Sequence, residues 1–488
     1  MPSLDTLLTT IPGARLVLPP GDHAAEAAAR AVRFETVSTD SRTLAEGALF
    51  VGLSGPRFDG AAFVQAAAQR GACAALITAG SEPTITTAMP LVVVPDALLA
   101  LQQWARYWRS LWQGCCVAVT GSNGKTTVKH MIQSLAQQAL GHGAVWATPG
   151  NLNNHIGVPI SVLGLRPEHR FAVFELGMNH PDEIAALANI AQPHVALVNN
   201  AQREHQEFMK SVTAVAQENG AVFSALHSGG AAIFPRDPEH EQIWISQTRD
   251  LQGRQIRFGF ATTPAGSSFK GEEVLGRWID SEQTIPNLQI CFPDGEAIEL
   301  LPKGLGVHFA LNLIAAAACG YAAGIAPSAI AQALSAFEPV SGRGRTMTLD
   351  GGGTLVDDTY NANPDSVRAA IEALARMRAP RALVLGDMGE VGDAGPEFHQ
   401  EVLHYAADHQ LDAIWLHGEA MAAAHEQTKV GHHVAEVQAL ITEVQQWVRM
   451  QQGQRHPPSL WVKGSRFMKM ERIVQAIAHA QEGQTACC

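Results

Sequence analysis

The stretch Val117-Ala118-Val119-Thr120-Gly121-Ser122-Asn123-Gly124-Lys125-Thr126-Thr127 most narrows what this chain can fold into. It reads as a buried apolar strand, a tight glycine-rich loop and the start of a helix. Successive backbone N–H groups in such a loop form a nest for phosphate oxygens, and the helix N-terminus behind it adds partial positive charge. Lys125 is placed to reach β- and γ-phosphates, and the Thr126 hydroxyl to ligate Mg²⁺. Gly121, Ser122, Asn123, Gly124, Lys125, Thr126 and Thr127 are therefore the expected nucleotide-phosphate contacts. A usual P-loop has glycine five residues before the Gly-Lys pair; Val119 stands there, so this loop is a variant.

At 488 residues the chain suits three domains of about 150 residues each. Hydrophobic residues make up 46% and charged residues 16%, which suits a packed globular protein. The net charge of −12 leaves no basic surplus to neutralise nucleic-acid phosphates. The seven cysteines follow no regular spacing and show no CxxC pair, which points to reduced thiols in the cytosol. The N-terminus lacks a basic segment followed by an apolar core, so no signal peptide is expected. The most membrane-like run, Phe309 to Ala326, contains Asn312 and small residues, and reads as a core helix.

Residues 1–112 mix short strands, such as 48–53 and 91–94, with alanine-rich helices; a helix is expected from Gly60 to Gly71. Residues 113–338 alternate apolar strands (171–174, 195–198, 231–234) with helical segments, which predicts a parallel sheet with right-handed crossovers. Residues 236–305 are richer in turns and short strand candidates, and a helix follows from about Ala310 to Ala323. Residues 339–488 begin with the linker Ser341-Gly342-Arg343-Gly344 and carry strands at 354–357 and 382–385, predicting a second, Rossmann-like sheet. The expected class is α/β with three domains around a central P-loop ATPase unit.

Further motifs combine with the loop: Phe174-Glu175-Leu176-Gly177-Met178-Asn179, Asp357-Asp358-Thr359-Tyr360-Asn361-Ala362-Asn363-Pro364, Leu385-Gly386-Asp387-Met388-Gly389-Glu390, Asp40-Ser41-Arg42 and Lys463-Gly464-Ser465-Arg466. Together they resemble the Mur ligases of peptidoglycan synthesis over nearly the whole chain. The resemblance implies a cytoplasmic, monomeric enzyme using ATP and Mg²⁺. It also implies amide-bond formation between UDP-N-acetylmuramoyl-tripeptide and D-alanyl-D-alanine through an acyl phosphate, with the first domain holding the nucleotide sugar. The Asp-Asn-Pro-Arg motif of the family member that adds the third peptide residue is absent. The Asp-Ser-Arg domain argues against folylpoly-γ-glutamate synthase, and the absence of Asn-Lys-x-Asp argues against a guanine-specific switch.

Residue by residue, the resemblance implies metal ligation by Thr126, Glu175 and His205, although imidazole is an unusual Mg²⁺ ligand. For Glu175, a carboxylate at a strand end, a helix-capping or solvated glutamate is the alternative. Asn312 matches an adenine-contacting asparagine; helix N-capping is the alternative. Phe309 replaces another asparagine of the family, which implies fewer adenine contacts. Arg343 matches the arginine that reaches the γ-phosphate and Asp358 the acid that holds the ribose; an ion pair across the linker is the alternative. The catalytic set is then Lys125, Glu175, His205 and Arg343. Substrate contacts implied are Ser41, Arg42, Asp59 and Gly60 for the uridine diphosphate, and Asn151, Asn153, Asn154, Tyr360 and Asn361 for the peptide side. Any of these polar residues could instead serve turn chemistry.

One departure stands out. The family carries a CO₂-modified lysine where this chain has Asn219, in Ala216-Gln217-Glu218-Asn219-Gly220-Ala221. Asparagine forms no carbamate. Glu218 is adjacent but points about 100° away on a regular helix, so a glutamate substitute and a water-bridged or weaker second metal both remain open.

Overall fold

The fold is that of a computed structural model, which describes residues 2–18, 26–55, 58–81, 87, 89–204, 207–262, 270–279, 286–349, 352–451 and 457–485. Three main sheets follow one another along the chain. The first has five strands in the order Arg15–Val17, Leu91–Val94, Ala74–Thr78, Leu49–Gly52, Val37–Ser38, all parallel except Arg15–Val17. The expected helix at 60–71 is a 3₁₀ turn, Gly60–Phe63, running into a short α-helix, Val64–Gln69.

The central sheet has nine strands. Strand Cys115–Thr120 lies third from one edge, between Phe171–Glu175 and Val195–Val198, both parallel to it. Glu175 is in register with Val119 and Val198 with Thr120, so Glu175, Asn199 and the phosphate loop all leave the same carboxyl edge. The chain departs to opposite sides of this strand, the place where open α/β sheets bind ligands. The turn-rich region 236–305 extends this sheet: Arg254–Phe260 and Glu272–Ile279 continue it in parallel, and Asn287–Cys291 and Ala297–Leu300 close it antiparallel.

Alternation along Cys115–Thr120 divides the core. Val117 and Val119 face helices Lys125–Leu140, Gly306–Ala322 and Pro327–Ala336. Cys116 and Ala118 face a cluster continuous with the first sheet through Leu101 and Trp104 of helix Ala97–Leu111. Arg109 of that helix is 2% exposed and donates to the carbonyls of Ala191 (2.7 Å), Gln192 (2.6 Å) and Trp112 (3.1 Å). It thereby caps helix Glu183–Ala191 and ties the first unit to the second. The third sheet, with six strands, is parallel apart from its edge strand Arg345–Thr348. No described helix is long and apolar enough to cross a membrane, and the five described cysteines are free.

His194, before strand Val195–Val198, accepts from the Cys116 N–H (3.0 Å) and stacks on His227 with ring centroids 4.4 Å apart. Burial, the neighbouring His227 and Arg109 push it down to about 4. An unfolded histidine titrates near 6.5. The neutral ring therefore stabilises the fold fully above about pH 6.5, and that contribution is lost as pH falls towards 4. His194→Ala should lower the melting temperature at pH 7 and flatten its decline between pH 6.5 and 4, as read by thermal melts across that range.

Candidate functional site

The phosphate loop runs from Thr120 to the first turn of helix Lys125–Leu140. Gly121 has φ +132° and Gly124 φ +80°, conformations that favour glycine. A Cβ on Gly124 would lie 2.5 Å from Asn312 Oδ1 and 2.8 Å from Asn199 Nδ2. Side-chain amides frame the turn. Asn199 and Asn200 donate to the Asn123 carbonyl (2.8 and 3.0 Å), and Asn200 Oδ1 accepts from the Asn123 N–H (2.8 Å). Lys125 Nζ folds back on the carbonyls of Gly121 and Ser122 and lies 3.4 Å from Glu204 Oε2. Thr126 and Thr127, almost fully buried in the first turn of helix Lys125–Leu140, each line one of the cavities that meet at the loop.

Asn312 accepts from Asn199 Nδ2 (2.9 Å). It stands in the second turn of helix Gly306–Ala322, whose N-cap position is Leu305, so the capping alternative falls away. Phe309 is buried against Phe337 and also lines the cavity beside Asn312, giving it an apolar wall where the family has an amide.

Glu175 ends its strand rather than capping a helix. Its Oε1 accepts from Asn153 Nδ2 (2.9 Å). Its Oε2 is buried without a hydrogen-bond partner, 3.8 Å from the buried Lys129 ammonium. Lys129 also donates to the carbonyls of Thr148 and Gly150, and burial holds its pKa below the usual lysine range. A carboxylate oxygen kept buried beside the phosphate loop suits a hard cation that takes its remaining ligands from phosphate and water. His205 lies outside the described residues. Among the described residues no group of three or more His, Cys, Asp or Glu side chains could hold a metal alone.

Two cavities meet at the loop. One, of about 460 Å³, is lined by Asn199, Phe258, Phe260, Phe309, Asn312 and Asp358 among others. The other, of about 300 Å³, is lined by residues 122–126, Asn151, Asn153, Asn154, Glu175 and Glu204. Asn123, Gly124, Arg343, Tyr360 and Asn361 line both. Arg343 lies over the Tyr360 ring, 3.9 Å from its centroid. Asp358 pairs with Lys463 (2.8 Å) and accepts from Trp461 Nε1; burial pushes its carboxyl up, against the pull of Lys463. Lys463 also donates to the Asn361 carbonyl.

Ser41, Arg42, Asp59 and Gly60 are not brought to these cavities. Arg42 is exposed and forked onto Asp40, and Asp59 accepts from the Ala61 N–H and the Ser54 hydroxyl. Asn154 Oδ1 accepts from the Ile156 and Gly157 N–H groups in the turn that leads into helix Gly157–Leu163, the turn chemistry foreseen for one of these polar residues.

The glutamate alternative at position 218 is overturned. Glu218 accepts from the Asp182 and Ile184 N–H groups (2.9 and 2.8 Å), satisfying the N-terminus of helix Glu183–Ala191 on a different face. Asn219 is itself part of the loop: its Oδ1 accepts from the Thr120 hydroxyl and the Gly121 N–H (2.9 Å). Arg203, Glu204, Lys129 and Lys463 escaped sequence reasoning. Lys463 lies in a quoted motif; the others carry no local signal.

The fold and site together define a three-domain, P-loop ligase architecture. Matches to family models cover it in three pieces: the Mur ligase family catalytic domain at residues 33–109, the Mur ligase middle domain at 119–320 and the Mur ligase glutamate ligase domain at 342–487. The chain belongs to the Mur ligase family. It is 36% identical over 446 residues to the UDP-N-acetylmuramoyl-tripeptide–D-alanyl-D-alanine ligase of Escherichia coli strain K12, covering 91% of this chain and 94% of that one. The Bacillus subtilis strain 168 ligase of the same name is 31% identical, covering 90% of this chain and 92% of its own length. Among solved structures, MurF from Acinetobacter baumannii superposes with a TM-score of 0.79 at 30% identity, covering 91% of this chain and 93% of that one. A Mycobacterium tuberculosis folylpolyglutamate synthase shares the fold alone, at a TM-score of 0.60 and 15% identity, covering 78% of this chain and 94% of that one.

Gly124→Ala combines a positive φ with a Cβ driven onto two framing amides. The backbone term alone costs about 1–2 kcal/mol. We expect at least a tenfold loss of affinity for a fluorescent ATP analogue with a melting temperature only a few degrees lower; unchanged affinity would mean the loop does not bind phosphate in this shape.

Proposed function

We propose that this chain joins D-alanyl-D-alanine to UDP-N-acetylmuramoyl-tripeptide at the expense of ATP, in the cytoplasm and as a monomer. Its units are proposed to divide at 1–112, 113–338 and 339–488. The observation that carries the reading is the pair of cavities that share Asn123, Gly124, Arg343, Tyr360 and Asn361. The larger, with aromatic walls and the Asn199–Asn312 amides, suits an adenine base, and Asp358 with Lys463 at its far side suits a ribose. The smaller, with the phosphate loop, Glu175 and Arg343, suits the γ-phosphate and an acceptor carboxylate. Asn151 and Asn153 lie on its peptide side. The likeness in sequence to UDP-N-acetylmuramoyl-tripeptide–D-alanyl-D-alanine ligases along nearly the whole chain supports the same substrates.

In this reading the tripeptide carboxylate oxygen attacks the γ-phosphorus and ADP leaves. The acyl phosphate that results is attacked at its carbonyl carbon by the dipeptide amine. The amine gives up a proton, the tetrahedral intermediate collapses, and the carbon–oxygen bond to phosphate breaks. Lys125 and Arg343 are the cations that offset charge on the transferred group. Lys125 must leave the Gly121 and Ser122 carbonyls to reach phosphate, and Arg343 must leave Tyr360. Thr126 and Glu175, with His205 by resemblance, would hold Mg²⁺, which supplies further charge neutralisation when bound. Arg343, Asp358 and Asn361 come from the third unit, so its closure on the phosphate loop completes the site and excludes water from the acyl phosphate.

Phosphate release in a coupled assay should require ATP, the tripeptide nucleotide and D-alanyl-D-alanine together. Diaminopimelate and lysine tripeptides tested side by side would define the third residue. Release that proceeds without the dipeptide, or that is driven by glutamate, would overturn the reading. Lys125→Ala should abolish turnover while leaving the melting profile intact. Because Asn219 forms no carbamate, turnover in CO₂-depleted buffer should equal turnover with added bicarbonate; strong bicarbonate rescue would imply a modified lysine elsewhere.

A further inference from the structure

Arg203 leaves the carboxyl edge of the central sheet in the connection that follows strand Val195–Val198. Its guanidinium hydrogen-bonds across to the third unit. Nε and Nη2 donate to Asp365 Oδ1 (3.0 and 2.6 Å), while Nη1 and Nη2 donate to the two oxygens of Glu401 (2.7 and 3.0 Å). The Arg203 backbone N–H donates to Asp365 Oδ2 (2.8 Å), and the guanidinium lies over Phe398, 5.1 Å from the ring centroid. Asp365 is in the first turn of helix Pro364–Ala375; Phe398 and Glu401 belong to helix Gly395–Asp408. Glu401 also accepts from Arg368 (2.8 Å), which keeps its carboxylate aimed at the junction. The three partners are about one-fifth to one-third exposed, so the pairing is partly shielded from solvent. A planar fork shared between two carboxylates fixes orientation as well as distance.

The same loop also holds the phosphate loop. The Gln202 N–H donates to Ser122 Oγ (2.9 Å), Gln202 Oε1 accepts from Asn123 Nδ2 (2.7 Å), and Glu204 pairs with Lys125. Asn123 and Asn363 exchange amide hydrogen bonds directly across the junction, at 3.0 and 3.3 Å. Residues 202–204 thus touch the phosphate loop at 202 and 204 and the third unit at 203.

We propose that Arg203 is the positioning residue that docks the third unit on the central one, setting Arg343, Asp358 and Asn361 against the phosphate loop. This rests on the closure reading given above. Asp365 and Glu401 are its acceptors, and the docking is coupled to phosphate binding because the loop that carries Arg203 also contacts Ser122, Asn123 and Lys125. Arg203 does not touch the reacting atoms. Its loss should therefore lower turnover through alignment and leave binding of the tripeptide nucleotide to the open protein in place.

The test uses the full chain with Arg203→Ala, Arg203→Lys, Glu401→Gln and the double variant Arg203→Ala/Glu401→Gln. Small-angle scattering should show a larger radius of gyration for Arg203→Ala than for the unmodified protein, both free and with an ATP analogue plus tripeptide nucleotide. Calorimetry should give tripeptide-nucleotide affinity within twofold of normal without ATP, while kcat falls at least tenfold. Arg203→Lys, which keeps the charge but loses the fork, should recover part of kcat. The double variant should be little worse than Arg203→Ala, because the two residues act through one contact. Normal kcat and an unchanged radius for Arg203→Ala would overturn the proposal. So would a kcat loss matched by an equal loss in tripeptide-nucleotide affinity or by wholesale unfolding in the melt. If the unmodified protein keeps one radius with and without ligands, ligand-driven closure fails. The docking role then stands or falls on whether Arg203→Ala expands the free protein.

Discussion

The turn between strand Cys115–Thr120 and helix Lys125–Leu140 is the constraint around which this molecule is arranged. To aim backbone N–H groups at a polyanion, the chain adopts positive φ at Gly121 and Gly124, and a turn so open to a ligand has few internal hydrogen bonds. The surrounding structure supplies them from uncharged amides. Asn199 and Asn200 hold the Asn123 peptide on both its N–H and its carbonyl, and Asn219 holds the Gly121 N–H. Amides both donate and accept without adding charge, so they fix the loop's shape without competing for the phosphates. Gly124 then has no room for a side chain because the Asn199 and Asn312 amides occupy it.

What the sequence made legible follows from how local each signal is. Strand, loop and helix around residue 120 are encoded within a dozen consecutive residues, and the alternation of Val117 and Val119 with Cys116 and Ala118 is the buried-strand pattern itself. Asn312, Arg343 and Asp358 were found through motifs, and the fold brings them to one place. The region 236–305 reads as turns and short strand candidates, and strands do lie there; that they extend the central sheet, two of them as seven- and eight-residue strands, rests on pairing that local sequence does not encode. Arg203 could not be read at all: its acceptors lie 162 and 198 positions along the chain, and one arginine in a loop is by itself a solvated charge. Glu204 is hidden for the same reason, 79 positions from Lys125. Periodicity did correctly separate the direction of Glu218 from that of Asn219; what it could not supply was the helix end at Asp182–Ile184 that Glu218 satisfies.

The electrostatics of the site turn on Asn219. Its Oδ1 accepts two donors that converge from consecutive residues, the Thr120 hydroxyl and the Gly121 N–H, a task no lysine ammonium can perform. The exchange costs something, since Asn219 Nδ2 is buried without a hydrogen-bond partner, a penalty of about 1–3 kcal/mol for an orphan polar group. An aspartate would accept from the same donors, but it would leave its second oxygen in the orphan's place and put a further anion beside bound phosphates. The charged residues lining the smaller cavity are Lys125, Arg203 and Arg343 against Glu175, Glu204 and Glu390, with Lys129 directly behind Glu175. Each cation is already committed: Lys125 to loop carbonyls and Glu204, Lys129 to two carbonyls and Glu175, Arg203 to Asp365 and Glu401, Arg343 to the Tyr360 ring. A pocket so balanced gives a polyphosphate little net attraction until those contacts exchange. A neutral Asn219 keeps the balance from tipping further negative, so in the proposed reading phosphate recognition depends on releasing Lys125 and Arg343 from neighbours on opposite sides of the domain junction.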